Sequence, residues 1–436
     1  MVRPLSEKIL LVGGGGREDA VARRLSEAGA HVYSFLKNRN PSIISLSRDY
    51  RIGPETDPAP ILDFALKSGI DLAFIGPDPV LETSLVEDLR SKGIRVASPD
   101  RSAARIETSK KFMRELLREY RIDGNIEFAN FTGTDHLKEY LQQHRDKEFA
   151  IKPLGLTGGK GVKVMGVHLS GFEEAFSYAS SVIGKDGSVL LEERVTGEEF
   201  SQQVFTDGQR ISPMPVVQDY KRAGEGDTGP NTGGMGSISD STHTLPFLSH
   251  NAREKALKIM EDVVRALRDS GNEFHGILYG QFMDSPGGIR VIEINARFAD
   301  PESINVLHLL DDSLPDILNR IADGDLRKSV RFRNAATVLK YVVPEGYGYN
   351  PKPSALTISQ EKTEKRKFIY YAAVSGELSE VEQSTSRSLA VVGEGKDIET
   401  ANSECEENLK LIKGKFYVRH DIGTRAMIEA KMARLP

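Results

Sequence analysis

The sequence predicts a multidomain α/β and α+β protein with an amino-terminal parallel-sheet domain, a mixed core carrying a mobile loop, and a carboxyl-terminal β-rich domain. Three observations predict it. Up to about residue 100, short apolar runs alternate with segments of helical periodicity, the pattern of a parallel sheet covered on both faces. In the middle of the chain, apolar strands end in lysines, acids or glycine-rich loops. Beyond Arg333 the apolar runs are of β type. At 436 residues the chain is too long for one core, and a prior of roughly 150 residues per domain gives about three.

Taken in order, residues 9–12 (ILLV) form the first strand, followed by Gly13, Gly14, Gly15 and Gly16. Residues 18–28 place Ala20, Val21, Arg24 and Leu25 at helical spacing, and 31–35 supply the next strand. Residues 72–75 are a strand broken by Gly76-Pro77, 80–91 a helix, and 94–97 a strand ending at Ser98-Pro99. In 109–120, Phe112, Met113, Leu116 and Leu117 make an apolar helical stripe. Residues 149–152 predict a strand running into a glycine-rich loop at 155–161, with further strands at 162–167 and 189–193. Runs at 336–343, 368–374 and 389–392 read as β, and 426–433 as a closing helix.

Composition narrows the function. Lys plus Arg is 58 against 63 for Asp plus Glu, a formal charge of -5. That near-balance argues against a nucleic-acid binder while permitting small basic pockets for phosphates. The single cysteine, Cys405, cannot form an intrachain disulfide, which fits a reducing compartment. The start of the chain does not read as a signal peptide, and no stretch approaches ~20 uninterrupted apolar residues. The expected setting is the cytoplasm, with no membrane partner.

The segment ILLVGGGGRED sets four glycines between a strand and a helix, where backbone can approach a ligand closely and the helix amino-terminus favours an anion. The spacing is not a strict G-x-G-x-x-G, and Lys37, Asn38 and Arg39 offer no acid for a ribose diol, so phosphate binding of another kind is favoured over a dinucleotide or a structural turn. Gly15, Gly16, Arg17 and Glu18 are the candidates there. Asp78, after Gly76-Pro77, lies at the same sheet edge; it faces an amine or hydroxyl, or caps a helix.

The strongest signal is distributed. Lys110 opens a helix, Lys152 sits in a strand before KPLGLTGGKGV, and Gly158, Gly159 and Lys160 belong to a loop able to close over phosphates. The loop lacks the G-K-[ST] ending of a P-loop, and a plain β-hairpin would also explain it. VLLEERVTGEEF puts Glu192 and Glu193 at a strand end with Glu198 and Glu199 beyond Gly197, acceptors for an adenine amino group or ribose hydroxyls. In GGIRVIEINARFADPES, Glu293 and Asn295 share one strand face, with Ile292 and Ile294 turned away; hard oxygens there suit Mg²⁺ on nucleotide phosphates. Arg297 keeps that phase. The stretch DYKRAGEGDTGPNTGGMGS packs Asp219, Lys221, Arg222, Asp227, Thr228, Asn231 and Thr232 into a segment poor in apolar residues, which suits a zwitterion or sugar phosphate better than a surface loop.

Together these motifs resemble the phosphoribosylamine–glycine ligase (glycinamide ribonucleotide synthetase) family of the ATP-grasp superfamily, over essentially the whole chain. QDYKRAGEGDTGPNTGGMG is the most distinctive stretch, supported by GGGGRED, SKKFM, KPLGLTGGKGV, LEERVTGEEFS, IEINARFADPE and HDIG at 420–423. The resemblance implies a pre-ATP-grasp domain at 1–104, an ATP-grasp core at 105–333 with a lid near 122–190, and a β-rich domain at 334–436. It implies ATP as co-substrate with Mg²⁺ or Mn²⁺, glycine and 5-phosphoribosylamine as substrates, and a monomer. On individual residues it implies that Lys110 and Lys152 contact nucleotide phosphates, that Glu192 and the Val195 backbone hold adenine, that Glu199 holds ribose, and that Glu293 and Asn295 ligate metal. Arg297 and the Asp219 region would hold substrate, and the turn at 13–18 with Asp78 would face phosphoribosylamine. The expected chemistry is electrostatic, through Lys152, Arg297 and loop N–H groups, with Asp219 a carboxylate near the amine.

The sequence departs from the family pattern at KNRNPS (37–42), at Asp19 where histidine is usual, at Leu154 and Thr157 in the phosphate loop, at Ala296 and Ala299, and at Gln281 where related enzymes place another carboxylate. The nearest rivals are another ATP-grasp activity acting on bicarbonate or formate, and a non-catalytic nucleotide-binding protein.

Overall fold

The computed structural model describes residues 7–155, 161–359 and 368–433. The loop candidates Gly158, Gly159 and Lys160, with Thr157, lie outside the described residues.

Strands β1 (Lys8–Val12), β2 (His31–Leu36), β3 (Ser47–Ile52), β4 (Leu72–Ile75) and β5 (Arg95–Val96) form a parallel sheet in the order β3-β2-β1-β4-β5. Strands β1 and β4 are continuous apolar runs because helices cover both faces, so residues 9–12 and 72–75 are all buried. The strand order reverses between β1 and β4, and the crevice at their carboxyl ends receives both glycine turns. Around the sheet lie α1 (Gly16–Glu27), α2 (Pro41–Leu46), α3 (Pro58–Ser68), α4 (Asp78–Leu81) and α5 (Leu85–Ser91). The single helix expected over 80–91 is therefore two. Thr83 interrupts it: its hydroxyl donates to Val80 O at 2.6 Å and accepts from Leu85 N at 3.3 Å, local bonds that compete with the helix.

Helices α6 (Arg101–Thr108) and α7 (Lys110–Glu119) lead into the core, capped by the side chains of Asp100 and Ser109. A lid follows, made of β6 (Phe128–Phe131), α8 (Thr134–Gln143), β7 (Phe149–Pro153), β8 (Lys163–Val164), α9 (Phe172–Asp186) and β9 (Val189–Glu193). Its antiparallel sheet runs β6-β9-β7-β8 and encloses its own apolar cluster, including Leu137, Ile151, Ala179 and Leu191, separate from the main core. The strand expected over 162–167 stops at Val164, whose carbonyl accepts from His168 N at 2.8 Å and turns the chain at Gly166.

The core sheet runs β11-β10-β16-β17, after β10 (Glu198–Asp207) and β11 (Ile211–Pro213). Between them and the later strands come β12 (Gln218–Asp219), the ribbon β13 (Arg222–Gly224) and β14 (Thr228–Asn231), and β15 (Gly236–Ser239). Helix α10 (Ala252–Asp269), which no sequence motif singled out, buries Ala256, Ile259, Met260, Val263 and Leu267 at helical spacing against that sheet. Strands β16 (His275–Ser285) and β17 (Gly288–Asn295) and helices α11 (Glu302–Leu309) and α12 (Leu314–Ala322) complete it.

The remaining elements are β18 (Ala336–Val342), β19 (Ala355–Ile358), β20 (Ile369–Tyr371), β21 (Val374–Glu377), β22 (Glu380–Gln383), β23 (Leu389–Gly395), α13 (Ile398–Leu409), β24 (Ile412–Gly414) and α14 (Arg425–Met432). One sheet, β12-β15-β18-β23-β20, pairs β15 with β18 from Gly236↔Lys340 to Ser239↔Thr337, so the segment around 218–239 is woven into the carboxyl-terminal strands. Cys405 is buried on α13 against β23, and burial pushes its thiol up to about 12, which fits an inert packing residue. Among the described residues no helix is long and apolar enough to cross a membrane.

Candidate active site

A cleft of about 760 Å³ gathers the lid, the core sheet, the β1/β4 crevice and the carboxyl-terminal domain. At its lid end stands Lys152. Its ammonium lies 2.7 Å from Glu192, which also receives Arg114 in a bidentate pair at 2.8 and 3.0 Å. Burial alone would raise the Glu192 carboxyl, but the cations of Arg114 and Lys152 hold it down at about 2. Arg114, fully buried, also donates to Val291 O and Ile292 O, tying α7 to β17. Both Glu192 carboxylate oxygens thus face internal cations, and the residue lines the cleft beside Lys152. Lys110 donates to Gly155 O at 2.8 Å, and burial followed by the neighbouring Lys152 lowers its ammonium. Val195 and Glu193 line the same end.

Glu293 and Asn295 do share one face of β17, with Asn295 Nδ2 donating to Glu293 Oε1 at 3.2 Å. Burial would raise the Glu293 carboxyl, yet Lys221 and Lys152 pull it below its ordinary value. An ionised carboxylate beside an amide fits a hard divalent cation. Among the described residues no group of three or more His, Cys, Asp or Glu side chains is placed to hold a metal ion, and Glu293 with Asn295 are the two residues on this face that would meet one. Ile292 does not turn away as expected. A bulge opposite Gln281 and Phe282 shifts the register, and Ile292 lines the cleft with Glu293. Gln281 stands opposite Glu293, but its amide donates to Glu199 at 3.1 Å and accepts from Tyr279.

Lys221 lies 3.4 Å from Glu199 and 3.8 Å from Asp219; despite burial, these acids and Glu293 raise its ammonium further. Burial raises the Asp219 carboxyl, and its Oδ1 is buried without a hydrogen-bond partner among the described residues. Asp219 also lines the cleft, and a buried acceptor of this kind calls for a partner that the described residues do not supply. Arg222, Asp227, Asn231 and Thr232 line the wall, whereas Thr228 turns its hydroxyl back to Glu225 O and is not brought to it. Arg297 binds Glu107 at 2.8 Å and approaches Asp78 at 4.0 Å.

At the crevice, Arg17 and Asp78 line the cleft, but Gly15, Gly16 and Glu18 do not. Glu18 folds back, accepting from Gly15 N at 2.8 Å and from Arg17 Nε at 2.7 Å, so it occupies the amide that an incoming phosphate would use. Asp19 also faces away, accepting from Tyr371 N at 2.7 Å and Arg23 at 2.9 Å. Asn40, within the divergent 37–42 segment, donates to Gly14 O and Tyr371 O and braces the glycine turn against the carboxyl-terminal sheet.

Sequence reasoning missed Arg114, Glu107 and Glu302. Each is a charge that only the packing of its helix against other elements buries. Glu302, at the start of α11, is pushed up to about 8 by burial and by Asp219.

Family models match in sequence along the chain: the N domain of phosphoribosylglycinamide synthetase over residues 7–107, its ATP-grasp (A) domain over 108–303, and its C domain over 337–425. Phosphoribosylamine–glycine ligase of Pyrococcus horikoshii is 46% identical over 428 residues, covering 98% of this chain and 96% of that one. The enzyme of Methanothermobacter thermautotrophicus is 47% identical over 434 residues, covering 98% and 99%. In structure, phosphoribosylamine–glycine ligase from Thermotoga maritima superimposes with a TM-score of 0.80 at 24% identity, covering 95% of this chain and 99% of that one. A biotin carboxylase from Campylobacter jejuni, solved with β-γ-ATP, gives 0.74 at 13% identity, covering 97% and 95%. At such identities the two structures attest the fold alone, and it is the sequence matches that decide: the chain belongs to the phosphoribosylglycinamide synthetase family of ATP-grasp ligases.

Proposed function

We propose that this cleft activates glycine as glycyl phosphate and passes it to 5-phosphoribosylamine, yielding glycinamide ribonucleotide, ADP and phosphate in purine biosynthesis. The observation that carries the reading is the set of charges gathered in one cleft. Lys110, Lys152, the Glu293–Asn295 pair, Lys221, Asp219, Arg297 and, from the β1/β4 crevice, Arg17 all line it.

A glycine carboxylate oxygen attacks the γ-phosphorus of ATP, the bond to the β,γ-bridging oxygen breaks, and ADP leaves. The amine on C1 of phosphoribosylamine then attacks the acyl carbon, and phosphate departs with the former carboxylate oxygen. Lys110 and Lys152 hold the phosphates, and Glu192 fixes Lys152 in place. Val195 and Glu193 border the adenine position, and Glu199, oriented by Gln281, the ribose. Asp219 accepts from a substrate amino group and Arg297 meets the carboxylate; Arg17 in the crevice supplies positive charge for the 5′-phosphate. A Mg²⁺ or Mn²⁺ ion at Glu293 and Asn295 would neutralise charge on the phosphoryl oxygens. Because one chain lines the whole cleft, the monomer is the proposed working unit.

The test is ADP release with glycine and freshly formed phosphoribosylamine, run beside bicarbonate and formate. Release should need both glycine and the amine, and fall on the order of tenfold or more when the amine is left out. Equal release without the amine contradicts a coupled ligase.

A further inference from the structure

We infer that the carboxyl-terminal domain shapes the substrate segment through two arginines, the buried Arg419 and the partly exposed Arg387, which act as positioning residues for the glycine and phosphoribosylamine subsites. This rests on the functional reading of residues 219–236 given above.

The ribbon β13-β14 pairs with no other strand among the described residues, and Thr228 and Asn231 on it are exposed. A two-stranded ribbon is marginal in water unless something holds it. Here the hold comes from the chain segment that carries HDIG. Arg419, fully buried, donates to Asp227 Oδ1 at 2.8 Å and Arg222 O at 3.1 Å, and pairs with Asp421 at 2.6 Å. Asp421 accepts from Gly226 N at 2.9 Å, and His420 N donates to Glu225 at 3.1 Å. The turn at 225–227 is thus tied residue by residue to 419–421. The guanidinium also lies 5.5 Å from the Tyr220 ring, next to Asp219.

At the other end of the same segment, Arg387 donates to Gly233 O and to Asp300 O at 3.1 Å, and pairs with the Asp300 carboxylate at 3.0 Å. Its guanidinium packs 4.5 Å from the Tyr341 ring, whose hydroxyl holds the other Asp300 oxygen at 2.6 Å. The carboxyl-terminal domain therefore grips the segment on both sides of its cleft-lining residues, while Lys110 and Lys152 are held by Gly155 and Glu192 instead. Loosening either grip should disturb the acid and amine subsites and leave the nucleotide end alone.

The experiment compares wild type with Arg419→Gln, Arg387→Lys and Asp227→Asn. Asp227 is half exposed, so its variant keeps the fold while weakening one tie. Hydrogen exchange at residues 222–231 should quicken in Arg419→Gln and Asp227→Asn, with the β16 and β17 amides unchanged. KM for glycine and phosphoribosylamine should rise on the order of tenfold in the two arginine variants and less in Asp227→Asn, with KM for ATP within about twofold. Unchanged ribbon exchange, or equal rises in all three KM values, overturns the inference. If wild type forms no product from both substrates, that counts against the functional reading, and the exchange measurement still decides whether the arginines hold the ribbon.

Discussion

Glu192 shows how single residues set this site. It lies between Arg114 and Lys152, and those cations hold its carboxyl at about 2 against an ordinary 4.5. A carboxyl held lower in the folded than in the unfolded chain contributes stability fully present above about pH 4.5 and lost as pH falls toward about 2. Glu192→Gln should therefore lower the urea midpoint at neutral pH and flatten its decline in acid, with KM for ATP rising as Lys152 loses its anchor. Wild-type and variant midpoints that run parallel through that window contradict the assignment. The residue types were legible: lysines before a glycine-rich loop and acids at strand ends announce phosphate chemistry. Their partners were not. Arg114 reads in sequence as a solvated position on an amphipathic helix, and only the approach of α7 to β9 and β17 buries it. Glu18 looks like a cleft residue from the chain, yet its own helix turn claims it, and the neighbouring Asp19 is claimed by β20.

Among the elements, the strands were legible where both faces are covered, because β1 and β4 are apolar runs. The segments that bend were not. The bulge beside Ile292 depends on register with β16, which one strand's own residues do not encode. Gly197, which joins the lid to β10, carries a stricter constraint: a Cβ there would lie 2.1 Å from Asp284 O, a backbone atom that β10–β16 pairing fixes. Gly197→Ala should destabilise the fold by about 2 kcal/mol. It should also raise KM for ATP, because the residues at 192–199 that border the nucleotide end must shift. A thermal midpoint equal to that of wild type would show that the lid–core junction is looser than this packing implies.

At the scale of the whole molecule, the three-part organisation and the ATP-grasp membership were legible because each part carries its own motif. The interlocking of the parts was hidden. Pairing of β15 with β18 joins residues far apart in sequence, and no local pattern in either strand names the other as its neighbour. That joint places the 218–239 segment against the carboxyl-terminal domain, beside the cleft proposed to bring acid, amine and nucleotide together. In the proposed reaction the acid is activated there as an acyl phosphate before the amine attacks. Glycine labelled with ¹⁸O in its carboxylate tests it most directly, with the released phosphate read by mass spectrometry after turnover with ATP and phosphoribosylamine. Each phosphate formed should carry one labelled oxygen; unlabelled phosphate formed while glycinamide ribonucleotide accumulates would overturn activation as an acyl phosphate.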